Sequence, residues 1–216
     1  MPTESADIPA ASTVAPIAGL VLAGGESRRM GRDKAALALA GSSQLERTVA
    51  LLSRHLPAVF VSVRESQQED PLRARFAQVV DAPAAAGTEL SGPIAGILGA
   101  FAARPDHAWL VVACDLPLLD DDTIVSLLAG RAADRVATAY TSAHDQLPEP
   151  LCAIWEPQAA APLRAHVATG NLCPRKFLLR HGAHFLPARA SVSTNINTPA
   201  ELAALSLPGT GPQEAT

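Results

Sequence analysis

Short runs of consecutive apolar residues alternate with amphipathic stretches over the first two thirds of the chain. The runs read IAGLVLA, AVFVSV, FAQVVDA and AWLVVACD. Unbroken apolar stretches of this length are typical of strands buried on both faces of a sheet. Between them, SSQLERTVALLSRHL repeats leucine or valine at helical spacing, and GPIAGILGAFAAR and DDDTIVSLLAGR begin with helix-start residues. The pattern predicts strands at 17–23, 58–63, 76–82 and 108–115, and helices at 42–56, 92–104 and 120–131.

The pattern is less regular after residue 135, although strand and helix signals continue. TPAELAAL begins as a helix should, with Thr198 as cap, Pro199 in the first turn and Glu201 near the third position. Alternating strands and helices predict an α/β fold with a mostly parallel sheet covered by helices on both faces. We expect one domain between a disordered tail at 1–16 and a second tail at 207–216. The remaining predictions are strands at 135–140, 149–156 and 184–187, and helices at 157–168, 174–182 and 198–205.

Composition narrows the class of protein. The 216 residues carry a net charge of −4, without the basic excess that nucleic-acid binding requires. No apolar stretch reaches the roughly 20 residues needed to cross a bilayer. The first residues lack the features of a secretory signal, and the three cysteines have no metal-ligand or disulfide spacing. We therefore expect a cytoplasmic protein that binds neither nucleic acid nor membranes.

The stretch LAGGESRRMGRDK, residues 22–34, follows the first predicted strand. In an open parallel sheet, ligands collect at the carboxyl ends of the strands. Gly24 and Gly25 allow the backbone to approach a ligand, and free N–H groups in such a turn can bind an anion. The stretch matches neither the GxxxxGK[ST] nor the GxGxxG motif, so a solvated basic turn is an equally good interpretation of it alone. The cations available for phosphate oxygens are Arg28, Arg29, Arg32 and Lys34.

Two further motifs carry chemistry. In VVACDLPLL, Asp115 stands where a buried strand ends, a suitable position for a carboxylate that holds Mg²⁺. An ordinary turn aspartate is the alternative, but the acidic run at 120–122 already serves the next helix. In TNINTP, Asn195 and Asn197 would point to the same side of an extended segment, although turn chemistry also explains them.

Together these motifs resemble the molybdenum cofactor guanylyltransferase family of nucleotidyltransferases. The family pattern runs from LAGG, an arginine pair, Met-Gly and Asp-Lys through Gly-Pro-Leu/Ile-Ala-Gly and Cys-Asp-x-Pro to Asn-x-Asn-Thr-Pro. This chain has LAGGESRRMGRDK, GPIAGI, CDLP and NINTP in the same order over about residues 17–206. The resemblance implies a Rossmann-like, three-layer nucleotidyltransferase fold. The implied reaction transfers GMP from GTP to molybdopterin or the molybdenum cofactor and releases pyrophosphate.

The resemblance also implies roles for particular residues. Nucleotide contacts fall to Leu22, Ala23, Gly24, Gly25, Lys34, Asp81 and Asp115. Asp115 would bind Mg²⁺, and Asn195 and Asn197 would contact the acceptor. Lys34, Arg29 and Asp115 form the implied catalytic set, in which the cations neutralise the triphosphate. Transient contacts with proteins that make or accept the cofactor would be compatible with this activity.

Some features depart from the family pattern or leave alternatives open. Relatives often carry Asn-x-Asn after the second strand, where this chain reads VSVRES, so Ser62 or Arg64 would have to replace that contact. Cytidylyltransferases of the same cofactor tend to have Ala-Ala-Gly in place of Ala23-Gly24-Gly25, and the extra glycine here favours the larger purine. A sugar-phosphate enzyme and a non-catalytic nucleotide-binding module remain as alternatives. A basic group at 175–180 is either a wall for the acceptor phosphate or a solvated helix face.

Overall fold

The computed structural model describes residues 14–23, 35, 38–39, 42–83 and 90–193. The strands in this part of the chain are β1 (Ile17–Leu22), β2 (Ala38–Leu39), β3 (Ser42–Ser43), β4 (Val59–Val63), β5 (Gln78–Val80), β6 (Ala108–Ala113), β7 (Ala137–Thr141), β8 (Pro148–Trp155) and β9 (His184–Leu186). The α-helices are α1 (Gln44–Ser53), α2 (Pro93–Ala103), α3 (Asp121–Ala129), α4 (Ala160–Ala168), α5 (Pro174–Arg180) and α6 (Ala190–Ser193).

The main sheet has the strand order β5-β4-β1-β6-β8-β7-β9. The pairs β5–β4, β4–β1, β1–β6 and β7–β9 are parallel, whereas β8 runs antiparallel to both β6 and β7. The carboxyl ends of every strand in this sheet except β8 therefore lie at one edge. A separate antiparallel ladder joins β2 to β3.

Helices cover both faces of the sheet, as the apolar strands require. One hydrophobic core contains buried side chains of α1, α3 and α6, and the other contains those of α2, α4 and α5. Within β6 the side chains alternate between the two cores: Leu110 and Val112 face the first, Trp109 and Val111 the second. All six β6 residues are buried, so this strand is the centre of the domain.

The predicted α/β architecture is confirmed, and the predicted elements within the described residues correspond to observed ones. Ser43 caps α1 and pairs reciprocally with Glu46 in a capping box, and Pro93 opens α2. The sequence pattern missed the β2–β3 ladder, α6 and short 3₁₀ turns at 65–67 and 73–75. The predicted tails and the helix at 198–205 lie outside the described residues. In the described chain, no helix has the length and apolar character to span a membrane.

Candidate nucleotide-transfer site

The predicted site residues that the structure describes lie at the carboxyl-end edge of the sheet. Leu22 ends β1 and is followed by Ala23, and Asp115 lies two residues beyond the end of β6. Asp81 immediately follows β5. Parallel pairing aligns these ends, since Leu22 is in register with Ala113 on one side and with Ser62 on the other. The sheet thus brings together residues that are far apart in the sequence.

The two carboxylates occupy opposite ends of this array. Asp81 follows β5 and Asp115 follows β6, with β4 and β1 between them. Neighbouring strands lie about 4.8 Å apart, so three intervals separate these strands by about 14 Å across the sheet. Because the two carboxylates follow strands this far apart, the sheet does not place them side by side as a metal-binding pair. An extended ligand across the edge would meet Asp81 at one end and Asp115 at the other.

Asp81 is held by β4. The Ser62 hydroxyl donates a hydrogen bond to its Oδ1, and the Asp81 backbone N–H donates to the Val63 carbonyl at 2.8 Å. Burial raises the pKa of Asp81 above its ordinary value, while the Ser62 hydrogen bond and the positive charge of Arg64 oppose that rise. Ser62 and Arg64, which the sequence offers as substitutes for the missing asparagine, therefore both act on Asp81. Their contact with a nucleotide stays a prediction.

Glycines in α2 allow this helix to pack directly against the site. A Cβ on Gly96 would lie 2.8 Å from Leu22 Cδ2 and closer still to Ser62 Oγ. A Cβ on Gly99 would lie 3.2 Å from Asp81 Cα and closer still to the Val80 carbonyl oxygen. Gly96 of the GPIAGI motif therefore has a packing role against the ends of β1 and β4, and Gly99, two residues beyond the motif, has the same role against the end of β5.

Arg73 binds the end of β1. Its side chain is 1% exposed, and Nε and Nη2 donate to the Ala23 carbonyl at 3.2 and 2.6 Å. Nη1 donates to Asp70 Oδ1 at 3.1 Å. The sequence pattern did not identify Arg73, because the residues it joins are 50 positions apart.

On the other side of the site, hydroxyl groups connect the Asp115 loop to the C-terminal part of the chain. Asp120 caps α3 by accepting the Thr123 N–H at 2.9 Å, and it also accepts the Thr123 hydroxyl. That hydroxyl lies 2.7 Å from Ser191 Oγ in α6. Ser191 is four residues before Asn195, so this network holds the chain that leads into the asparagine motif against α3. The sequence pattern identified neither Thr123 nor Ser191.

The acidic run at 120–122 serves the start of α3, as the sequence predicts. Asp121 accepts two hydrogen bonds from Arg54, at 2.9 and 2.7 Å, and its Oδ1 lies 2.6 Å from His55 Nε2. The Arg54 and His55 hydrogen bonds lower the pKa of Asp121 to about 2. Together with the Asp120 cap, these contacts assign the run to α3 and leave Asp115 as the acid closest to the strand end.

Of the three basic residues in α5, one forms ion pairs and two are exposed to solvent. Arg175 lies 3.3 Å from Asp145, in the β7–β8 connection, and 3.2 Å from Glu149, near the start of β8. Lys176 and Arg180 are exposed. Arg175 therefore has local counter-charges, and the helix face interpretation fits Lys176 and Arg180.

Several predicted site residues cannot be placed by the structure. The glycines, the cations and the asparagines of the motifs lie outside the described residues: Gly24, Gly25, Arg28, Arg29, Arg32, Lys34, Asn195 and Asn197. Their roles remain predictions. What the structure describes is the scaffold on both sides of them, namely the end of β1, the Asp81 side and the Asp115 side.

A mostly parallel sheet covered by helices on both faces defines a doubly wound α/β protein, a class in which ligands bind at the carboxyl ends of the strands. The family model described as the MobA-like NTP transferase domain matches residues 19–185, and the chain belongs to this family. A molybdenum cofactor guanylyltransferase of Rhizobium leguminosarum bv. trifolii is 34% identical over 201 residues, covering 87% of this chain and 90% of that relative.

Two other relatives extend the comparison. A molybdenum cofactor biosynthesis bifunctional protein of Synechocystis is 35% identical over 185 residues, which are 85% of this chain. The match spans only about half of that relative, 52% of its length. The crystal structure of molybdopterin-guanine dinucleotide biosynthesis protein A from Archaeoglobus fulgidus superposes with a TM-score of 0.70 at 25% identity. That superposition covers 86% of this chain and 95% of the other, so the fold is shared almost throughout.

Proposed function

We propose that this chain transfers GMP from GTP to molybdopterin, or to its molybdenum-loaded form, and releases pyrophosphate. The observation that best supports this is the sheet edge at which Leu22, Ala23, Asp81 and Asp115 come together. The family supplies the reaction type, and the guanylyltransferase relative supplies the substrates. A fold likeness alone would not support this step, since one fold hosts many activities.

The separation of the two carboxylates suggests how GTP lies across the edge. Asp81 would accept hydrogen bonds from the nucleoside end, and Asp115 would serve the phosphate end. Leu22 and Ala23, with Gly24 and Gly25 after them, would contact the guanine at the nucleoside end. Small residues at this point leave room for a purine beside the backbone. The arrangement also explains why two separated carboxylates, rather than one adjacent pair, stand at this edge.

The chemistry needs positioning and charge compensation more than proton transfer. An oxygen of the acceptor's phosphate attacks the α-phosphorus of GTP, and the bond from that phosphorus to the oxygen bridging to the β-phosphate breaks. Because the attacking phosphate is already ionised, no general base is required. Lys34 and Arg29 would compensate the charge of the departing pyrophosphate. Asn195 and Asn197 would orient the acceptor by hydrogen bonds.

Asp115 is the residue that would hold Mg²⁺. Within the described residues there is no group of three or more His, Cys, Asp or Glu side chains that could hold a metal. A single carboxylate at a strand end nevertheless suits Mg²⁺, which keeps several waters and binds through one or two carboxylates and the substrate's phosphates. When bound, the ion would reduce the negative charge on the α-phosphate.

A cytoplasmic location belongs to the same proposal. Cys114, Cys152 and Cys173 form no disulfide, and Cys114 and Cys152 are buried, which fits a reducing compartment. GTP and the pterin are the proposed partners, with no role for nucleic acid or membranes. Transient contacts with proteins that make or accept the cofactor would serve hand-over of the product.

The decisive test compares nucleotides and acceptors in one assay. The purified chain is incubated with Mg²⁺, molybdopterin and GTP, CTP or ATP in turn, and pyrophosphate and the dinucleotide product are quantified. We expect turnover with GTP and little with the other two. Turnover with CTP and none with GTP would change the assignment to a cytidylyltransferase. Pyrophosphate release with sugar phosphates but not with molybdopterin would overturn the acceptor.

Variants of two aspartates separate the proposed role of Asp115 from a general charge effect. Asp115→Ala should abolish Mg²⁺-dependent turnover while the circular dichroism spectrum stays unchanged. Asp122→Ala is the matched control. Asp122 is exposed in the first turn of α3, and its substitution removes the same charge. Full turnover by the Asp115 variant would exclude it as the metal ligand, and a chain that binds GTP but never turns over would be a non-catalytic module.

A further inference from the structure

A buried arginine stands at the point where β1 leads into the glycine motif. Arg73 belongs to a 3₁₀ turn, Arg73–Arg75, in the connection between β4 and β5. Its side chain is 1% exposed and donates to the Ala23 carbonyl from both Nε and Nη2. Burying a guanidinium is costly unless it is paired and hydrogen-bonded. Such a group, directed at one backbone carbonyl, therefore needs an explanation.

The regular sheet does not supply a donor for that carbonyl. Along β1, Gly19 bonds to β4, because its N–H donates to Ala58, whereas the Leu22 carbonyl faces β6 and accepts the Cys114 N–H. By alternation, the Ala23 carbonyl faces β4. The next N–H in line is that of Arg64, the residue after β4, but it donates to Gln67 Oε1 at 3.1 Å.

Arg73 therefore replaces a ladder hydrogen bond at Ala23, the residue that follows β1. Its two donors converge on one oxygen, an arrangement that the planar guanidinium fork permits and a lysine ammonium does not reproduce. Asp70 completes the unit: it accepts the Arg73 backbone N–H at 3.0 Å and Nη1 at 3.1 Å. The charge of Arg73 is thus partly compensated before it meets the carbonyl.

We infer that Arg73 is a positioning residue for the nucleotide site, acting through the Ala23 carbonyl. By fixing this carbonyl, it sets the position of Leu22 and Ala23 and the direction in which the chain leaves β1. This inference rests on the proposed function, in which these two residues contact the nucleoside of GTP. Arg73 itself bonds to backbone and to Asp70, so it acts on the nucleotide indirectly.

The test compares three arginine variants in the full chain. Arg73→Met removes every donor at nearly the same length, and Arg73→Lys keeps the charge but not the fork. Arg75→Met is the matched control, because Arg75 is 61% exposed and pairs with Glu46 on the surface. GTP affinity is measured by calorimetry, KM and kcat are measured for both substrates, and folding is followed by thermal denaturation.

The Arg73→Met variant should raise the Kd and KM for GTP by about ten-fold or more, because misplacement of a binding segment is costly. The KM for the acceptor should change by less than about two-fold, since Arg73 has no part in acceptor binding. The Kd and KM of Arg73→Lys for GTP should lie between those of Arg73→Met and the parent. Both constants should be unchanged in Arg75→Met.

A merely structural role would give a different result. It would lower the melting temperature and scale kcat with the folded fraction, while the KM for GTP stayed at the parent value; that pattern overturns the inference. If Arg73→Met does not fold, Arg73→Lys decides by the same comparison. A parent chain that binds no GTP would instead refute the proposed function, so the two failures are distinguishable.

Discussion

Replacing Gly99 by alanine tests whether close packing of α2 positions Asp81. A Cβ at this position would lie 3.1 Å from Ala82 N, 3.2 Å from Asp81 Cα and below 3.0 Å from the Val80 carbonyl oxygen. All these atoms belong to the backbone of β5 and the residues that follow it, so no side-chain rotation can relieve the overlap. The helix must move away from the strand end, or the strand end must move.

Two effects of opposite sign decide the free energy of unfolding. Alanine has a helix propensity about 1 kcal/mol better than glycine, which by itself would stabilise the protein. Overpacking a close contact costs roughly 1–3 kcal/mol, and rigid backbone neighbours favour the upper part of that range. We therefore expect Gly99→Ala to destabilise the protein by about 1–2 kcal/mol, or roughly 2–8 °C in melting temperature.

Urea unfolding and GTP titration together measure the two consequences. Ala102→Gly is the matched control: it is exposed in the same helix and should lose about 1 kcal/mol by propensity alone, without changing GTP affinity. Gly99→Ala should weaken GTP binding, because the strain falls on the segment that carries Asp81. A Gly99→Ala protein that is more stable than the parent would refute the packing argument.

Further predictions concern ionisable groups. Ser62→Ala removes a hydrogen bond that stabilises ionised Asp81 and should raise the pKa of Asp81 further above its unfolded value. The free energy of unfolding should therefore fall more steeply as pH rises from the unfolded pKa of Asp81 through its folded pKa. The pH below which GTP affinity is lost should also move upwards. An unchanged pH dependence of GTP affinity would contradict this prediction. Arg131→Met leaves Glu156, which is 1% exposed, without its partner at 2.6 Å, and should cost about 3–5 kcal/mol in urea unfolding with GTP affinity unchanged. Burial raises the pKa of the Cys152 thiol to about 12, so iodoacetamide should label it only after unfolding, and labelling of the native protein would count against this burial.

The fold could be predicted from the sequence because its determinants are local. Apolar runs such as 108–115 have the length of a buried strand, and Pro93 and Asp120 mark helix starts within a few residues of the observed ones. The antiparallel direction of β8 has no such local signature. It depends on how the β7–β8 connection returns the chain to β6, which only the pairing of strands reveals.

The residues that hold the candidate site in place could not be predicted either, because their contacts join distant parts of the chain. Asp115 is proposed from the sequence because a carboxylate at the end of a strong strand is visible there. Arg73 is not, since an arginine in a polar connection resembles any surface arginine until the fold brings it under Ala23. Thr123 and Ser191 are 68 positions apart and have ordinary helix-start chemistry when each is considered alone. Burial and partners, rather than residue type, distinguish these groups.

The residues that hold the two sides of the candidate site differ in chemistry, so substitutions on the two sides should differ in their effect on stability. On the side proposed to bind the nucleoside, the Arg73–Asp70 pair holds the Ala23 carbonyl, and α2 packs closely against Asp81 through Gly99. On the Asp115 side, the contacts are hydroxyl hydrogen bonds that run from Asp120 to α6. Loss of a buried charge or close packing costs more than loss of the one neutral hydrogen bond in this network, between the Thr123 and Ser191 hydroxyls. Substitutions at Arg73, Asp70 or Gly99 should therefore destabilise the protein more than loss of the Thr123–Ser191 contact does.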